Sequence, residues 1–328
     1  MFWIGYAPGL IVSDIPELSV GVDVGGTKIA AAAVSGTTVI ESHERPTVLD
    51  PSEILDEIEC AAREVITASP GPVAAVGIGV PSQVHFATGR VMASVNIPLA
   101  GVELRQVLEQ RLGLPVYVDN DGNCAALAEA YLAEGAAARH LVMYTMGTGV
   151  GGGVVIDGRV FRGATGLGAE LGHVVVQSDG PECPGNCPNR GCLEAVASGT
   201  ALGREATRLA REQPDSGLGR ALASGRAITG PLVTELAHDG DEAAIEAIAL
   251  IGRNLGVGIA NYANIFNPEV VVIGGGVIGA GELLLAPARD EMLRRALRPS
   301  RDEVRVVAAR FGTEAGMIGA AAMALGAE

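Results

Sequence analysis

Twice in this chain an apolar strand runs into a glycine-rich loop and then resumes as a second strand. Residues 18–24 break at Gly25-Gly26 and continue over 29–34, while residues 140–146 break at Gly147-Thr148-Gly149 and continue over 152–156. Consecutive glycines permit a tight turn and leave backbone N–H groups bare, because no Cβ blocks an approaching group. A plan used twice predicts two related α/β lobes, each opening with the same strand pair. Asp157-Gly158 closes the second copy with a two-residue hairpin signal.

Around these repeats, strand and helix alternate. The Asp50-Pro51-Ser52-Glu53 start predicts a helix with Ile54, Leu55, Ile58, Ala62, Val65 and Ile66 on one face. Strand 73–80, helix 102–112, strand 115–120 and helix 122–134 follow. Helices dominate 197–263, succeeded by strand 270–273, a glycine loop over 274–276, a helix, strand 304–308 and a last helix. Aromatics are only 3% of a chain that is 48% apolar, so its core is built of Ala, Val, Ile and Leu, as suits a sheet covered by helices. Lysine plus arginine (23) against aspartate plus glutamate (38) leaves a net charge of −15. That balance disfavours nucleic acid and anionic membranes as partners, and any bound phosphate must be held by local donors. No apolar run approaches the ~20 residues that cross a bilayer. The first residues, with Asp14 and Glu17 and no basic start, read as a lead-in to the first strand of a cytoplasmic chain rather than a signal peptide.

The loop Asp23-Val24-Gly25-Gly26-Thr27-Lys28 adds a hydroxyl and an ammonium to its bare N–H groups. These are the donors an anion takes. Asp23 suits a phosphate site if Mg²⁺ or its waters lie between; otherwise it is a buried acid in a glycine-rich hairpin. Residues 147–152 match the G-x-G-x-x-G fingerprint in spelling but lead into a strand, where that fingerprint requires a helix. Residues 274–279 match again, yet only about fifty residues follow, and Ala308 and Ala309 leave the next strand without an acid at its end. A nicotinamide enzyme is thereby disfavoured. Three glycine loops at three strand ends fit a different design. Two would clamp the β- and γ-phosphates of a nucleotide, and Gly274, Gly275 and Gly276 would abut its adenosine.

Asp119-Asn120-Asp121-Gly122-Asn123 lies where a strand meets a helix. Asp121 there either caps the helix or, favoured as an anion by the helix dipole, takes a proton from an attacking hydroxyl. Downstream, Glu170 and His173 lie three positions apart, and His173 is followed by Cys183, Cys187 and Cys192. Cysteines separated by three and four residues match structural zinc spacing, and one histidine completes a tetrahedron. In a cytosolic chain such a cluster points to metal before disulfide. Pro184, Gly185, Pro188 and Gly191 supply turns around an ion, and Glu194 would be fixed just beyond the last ligand.

These segments together resemble the ROK family of sugar kinases and repressors, and within it the bacterial glucokinases most. DVGGTK at 23–28 resembles the family's first phosphate loop, VDNDGN at 118–123 its catalytic segment, and MGTGVGGGVV at 146–155 its second phosphate loop. GAELGH at 168–173 resembles the sugar- and zinc-binding segment, and CPNRGCLEAVASGTAL at 187–202 the cysteine motif. The resemblance runs from about residue 18 to the C-terminus. It implies an actin-like, ribonuclease H-like duplicated fold, two lobes with a central cleft. The small lobe would cover residues 1–121, with a C-terminal helix near 312–328 packing back on it, and the large lobe residues 122–311. The implied reaction is phosphorylation of a hexose by ATP with Mg²⁺, glucose to glucose 6-phosphate first, with N-acetylmannosamine, fructose or allose as other acceptors and polyphosphate as another donor.

The resemblance makes Asp121 the catalytic base and gives sugar contacts to Asn96, Asn120, Asp121, Glu170, His173 and Glu194. It assigns the nucleotide to Asp23, Gly25, Gly26, Thr27, Lys28, Gly147, Thr148, Gly149, Gly274, Gly275 and Gly276. A structural Zn²⁺ falls to His173, Cys183, Cys187 and Cys192, and a homodimer or homotetramer is implied. A repressor of the family would carry an N-terminal helix-turn-helix, and fewer than twenty residues precede the first strand here. Three features depart from the family pattern. Ser82 stands where glycine is usual, three residues rather than one separate Cys183 from Cys187, and an acid common near His85 is absent.

Overall fold

The computed structural model describes residues 18–132 and 138–326. The lead-in ahead of Leu18, the end of the helix expected to reach 134 and the last two residues lie outside them. The strands are β1 (Leu18–Val24), β2 (Lys28–Ser35), β3 (Thr38–Pro46), β4 (Val73–Val80), β5 (Ser82–His85), β6 (Arg90–Ser94) and β7 (Val116–Asn120). They continue with β8 (Leu141–Met146), β9 (Val150–Ile156), β10 (Arg159–Val160), β11 (Val270–Gly274) and β12 (Arg305–Ala308). The first helices are α1 (Ile54–Ala68), α2 (Leu104–Leu112), α3 (Asp121–Leu132), α4 (Leu193–Ala197), α5 (Gly199–Glu212) and α6 (Gly217–Ala223). The rest are α7 (Gly230–His238), α8 (Glu242–Phe266), α9 (Glu282–Arg295), α10 (Ser300–Glu303) and α11 (Ala315–Ala324).

The strands confirm the repeat. One sheet runs β3-β2-β1-β4-β7 and the other β10-β9-β8-β11-β12. In each, the strand before the glycine loop lies centrally and pairs in parallel with a later strand, β1 with β4 and β8 with β11. Asp157 and Gly158 turn the β9–β10 hairpin with φ of 53° and 76°, the positive pair a type I′ turn needs.

Two units emerge: Met1–Arg139 with Val155–Val160 and Ala315–Glu328, and His140–Val154 with Phe161–Glu314. In the first, strand alternation sorts the side chains of β1 and β2 between two layers. Val20, Val22, Val24, Ile29, Ala31 and Ala33 join the core beneath α1, whose Ile54, Ile58, Ala61, Ala62 and Val65 are buried. Ala30, Ala32 and Val34 face Met317 and Ala321 of α11. This second layer is unusually close. A Cβ on Gly21 would lie 1.8 Å from the Met317 carbonyl oxygen, and one on Gly77 1.8 Å from that of Ala320. The buried Ser19 hydroxyl donates to the Ala321 carbonyl at 2.9 Å.

α11 meets α3 in the same way, since a Cβ on Gly319 would lie 1.7 Å from the Cys124 carbonyl oxygen. That contact corrects the boundary read from sequence. A cut at 121 would sever α3 from the helix it packs on, and the division falls after Arg139 instead. The start of α1 differs too. Asp50 Oδ1 accepts from Ser52 N at 2.8 Å, so Asp50 to Glu53 form a turn that feeds the helix at Ile54.

In the second unit α8 runs 25 residues from an Asp241 cap to Asn267 in left-handed conformation. Its most apolar window has a mean hydropathy of 1.5, so by length and composition it could cross a membrane, contrary to the expectation from sequence, but 61% of that window is buried. The apolarity is that of a core helix. A Cβ on Gly252 or Gly256 would stand 2.5 Å from a carbonyl oxygen of α9, so the two helices pack backbone to backbone.

Candidate active site

The alternation that sorts β1 also aims Asp23. Its carboxylate points to the α11 layer, where a Cβ on Gly316 would lie 2.6 Å from Oδ2. Burial pushes the Asp23 carboxyl up to about 6, against the pull of the nearby Lys28 ammonium. No hydrogen bond to it is seen among the described residues. A buried carboxylate without donors suits a cation, which fits the expected Mg²⁺. The loop beyond it closes with Gly25 N donating to Lys28 O at 2.8 Å, while Thr47 Oγ1 holds the Gly25 carbonyl at 2.7 Å. Gly26 is open on its Cβ side. Lys28 Nζ rests on Glu44 Oε1 at 2.5 Å, both exposed, so its charge is shared with a neighbouring strand.

At the β7–α3 junction the capping role falls to Asn120. Its Oδ1 accepts from Gly122 N at 2.9 Å and Asn123 N at 3.4 Å, and its Nδ2 donates to the Ser82 carbonyl at 3.3 Å. Buried Asp119 takes the Asn123 amide at 2.9 Å and locks the turn. Asp121 therefore opens the helix as its first residue, its Oδ1 accepting the adjacent Gly122 N–H at 2.8 Å. Ser82 uses its hydroxyl on Ser94 Oγ at 2.8 Å, which ties β5 to β6. Asn96, just past β6, is exposed.

In the second unit one short segment supports the second glycine loop. Glu194 Oε2 accepts from Val150 N at 2.8 Å, and a Cβ on Gly149 would lie 2.2 Å from that oxygen. Gly199 N donates to the Gly147 carbonyl at 2.8 Å and Thr200 Oγ1 to the Thr148 carbonyl at 2.8 Å. Ser198 caps α5 through Ala201 N at 3.1 Å.

Beside this loop lies a cavity of about 890 Å³, within the size of a small-ligand site. Gly147, Thr148, Thr200, Thr229, Gly276 and Val277 line it together with Arg204, Arg208 and Arg211 of α5. Among the described residues its lining holds no carboxylate, although Arg204 and Arg208 are ion-paired with Glu205, and Arg208 also with Glu212, on the same helix. Of the three glycines expected there, only Gly276 reaches it. A Cβ on Gly275, at φ 81°, would lie 2.5 Å from the Met146 carbonyl oxygen, and one on Gly274 2.7 Å from Met143 Cε, so both positions are closely packed and neither lines the cavity. The helix α5 and α7 residues were not legible in sequence, because they are single Thr and Arg side chains scattered over two helices.

Glu170 precedes a one-turn helix over Leu171–His173 and follows Ala169, which holds a left-handed φ of 64°. His173, Cys183, Cys187 and Cys192 gather with their ligand atoms all within 4.8 Å of one another. His173 Nδ1 is 3.4 Å from Cys183 Sγ, and Cys187 Sγ is 3.9 Å from Cys192 Sγ. A tetrahedral zinc site has edges of about 3.6 Å for N···S and about 3.8 Å for S···S at its usual bond lengths. All three cysteines are free, and burial with neighbouring thiols pushes Cys183 well above its ordinary range. Three thiolates together need a cation, and the quartet fits a structural zinc.

Doubled five-stranded sheets with glycine loops at their central strands define an actin-like ATPase fold. The chain belongs to the ROK family, whose model matches residues 19–327. A glucokinase of Streptomyces coelicolor is 36% identical over 317 residues, covering 94% of this chain and 97% of that protein. The crystal structure of a ROK family glucokinase from Streptomyces griseus in complex with glucose and AMPPNP is similar with a TM-score of 0.84. It is 35% identical, with 94% of this chain and 99% of that chain covered. A xylose repressor of Caldicellulosiruptor bescii is 29% identical, covering 96% of this chain and 78% of that protein.

Two outcomes are expected. Asp23 is raised in the folded state, so its contribution to stability falls as pH rises from about 4 through about 6. In thermal melts without nucleotide or magnesium, Asp23→Asn should gain stability over the unaltered protein across that interval and keep the gain at pH 7. A pH-independent difference would contradict the burial of a charge there. Metal analysis of purified protein should find about one zinc per chain, the count of a closed four-ligand site. Cys192→Ser should carry none and melt several degrees lower; an unaltered protein active without zinc would refute the site.

Proposed function

We propose that this protein is an ATP-dependent hexose kinase of the glucokinase type, converting glucose to glucose 6-phosphate. The observation that carries the reading is the seat of Glu194, an acid anchored by a hydrogen bond against the backbone of a phosphate-type glycine loop. An acceptor for sugar hydroxyls and a cradle for phosphate thus share one rigid segment. The full-length similarity to glucokinases supports the same reading.

Phosphoryl transfer depends mainly on positioning and charge stabilisation. Asp23, Gly25, Gly26, Thr27 and Lys28 on one unit, and Gly147, Thr148, Gly149 and Gly276 on the other, are assigned to the nucleotide. Gly274 and Gly275 would act by packing beneath it. Asp23 would hold the Mg²⁺ that draws charge from the phosphates. Asn96, Asn120, Glu170, His173 and Glu194 are assigned to sugar hydroxyls. Asp121, relieved of helix capping by Asn120, would accept the proton of the attacking 6-hydroxyl. His173, Cys183, Cys187 and Cys192 would hold zinc as a structural ion that fixes the Glu194 segment. The cytoplasmic location and the homodimer or homotetramer that the resemblance implies belong to the same proposal.

Asp121→Asn keeps the size of the side chain and removes the proton acceptor. The expected fall in kcat is ~10²-fold or more, the scale of a general base, with glucose still bound in calorimetry. Near-normal turnover of the folded variant would remove Asp121 from the mechanism.

A further inference from the structure

We infer that Glu194 couples the two substrates, so that sugar seated on its carboxylate tightens nucleotide binding and the nucleotide tightens sugar binding in return. This rests on the proposed roles of Glu194 as a sugar contact and of residues 147–149 as a phosphate loop.

The argument starts from the two oxygens of one side chain. Oε2 accepts from Val150 N at 2.8 Å and lies directly under Gly149. Oε1 has no hydrogen bond among the described residues, and Glu194 is only half-buried. One oxygen is therefore committed to the loop and the other is open to a donor. The loop has no second support of this kind on the same stretch, since Gly199 and Thr200 hold Gly147 and Thr148 by their carbonyls. Among the described residues, Glu194 is the side chain that holds it by an N–H.

Two effects of a bound hydroxyl act in the same direction. An unliganded carboxylate beneath the loop opposes an incoming phosphate, because like charges at a few ångströms repel wherever water is excluded. A hydroxyl donating to Oε1 spreads that charge and weakens the opposition. The same hydrogen bond also fixes the carboxylate, so the Val150 bond persists and Gly149 keeps one conformation. Ordering of the loop is then completed before the nucleotide arrives. By linkage the coupling must be equal in both directions, and such couplings are commonly 5–150-fold.

The test is titration calorimetry on the zinc-loaded full chain, with glucose and with AMPPNP plus magnesium, each alone and with the other at saturation. The unaltered protein should bind AMPPNP at least about 5-fold more tightly in saturating glucose, the lower end of such couplings. Glu194→Gln keeps an acceptor for Val150 but carries no charge. It should bind AMPPNP alone at least as tightly as the unaltered protein, bind glucose more weakly, and show a coupling factor close to one. Glu194→Asp keeps the charge but withdraws it from Val150, and should lose the coupling with weaker nucleotide binding. If both ligands bind the unaltered protein independently, the coupling is refuted while the kinase reading stands. If Glu194→Gln keeps the full factor, the coupling belongs to other residues. If glucose does not bind the unaltered protein at all, the sugar reading itself fails and the inference with it.

Discussion

The hydrogen bond from Val150 to Glu194 joins three parts that the sequence presents as separate motifs. Cys192 enters the metal cluster, Glu194 reaches the glycine loop two residues later, and Gly199 and Thr200 tie down the same loop at the start of α5. The segment has little room to shift, because Glu194 fills the place a Cβ on Gly149 would occupy and Leu193 packs so close to α8 that a Cβ on Gly258 would lie 2.7 Å from its Cδ2. Loss of a metal there would therefore reach the glycine loop as well as Glu194.

The first unit obeys a different constraint, the approach of α11 to its sheet through paired glycines. Gly21 and Gly77 let the helix backbone lie on the strands, and Gly316 leaves room for the Asp23 carboxylate. The buried and desolvated acid that results is unfavourable in the empty protein and useful to a bound cation. The fold thus stores a cost at the position where the proposed nucleotide charge would repay it.

Much of this was legible because its signals are local. The doubled strand–loop–strand plan, the Asp157-Gly158 turn and the His173–Cys183–Cys187–Cys192 quartet are written in short spacings, and each appears in the folded chain. What was not legible depends on which distant elements meet. Asn120 rather than Asp121 caps α3 because its amide is held by Ser82, thirty-eight positions earlier. Gly274 and Gly275 look like ligand glycines, yet neither lines the cavity, and Met143 and Met146 crowd the side where a Cβ would stand. The boundary at Arg139 follows from α11, which returns from the far end of the chain to hold α3. The arginines lining the cavity stand on α5, and their convergence on Gly147, Thr148 and Gly276 depends on how distant segments pack.

The claim that the molecule transfers phosphate from ATP to a hexose is tested most directly by coupled ADP release. Purified, zinc-loaded protein would be given ATP and magnesium with glucose, mannose, fructose, N-acetylmannosamine or no sugar. The account predicts ADP release that depends on sugar, with the highest kcat/KM for glucose and one sugar phosphate formed per ADP. Absence of sugar-dependent ADP release with every hexose would contradict the kinase, and a higher kcat/KM for another hexose would contradict glucose as its substrate.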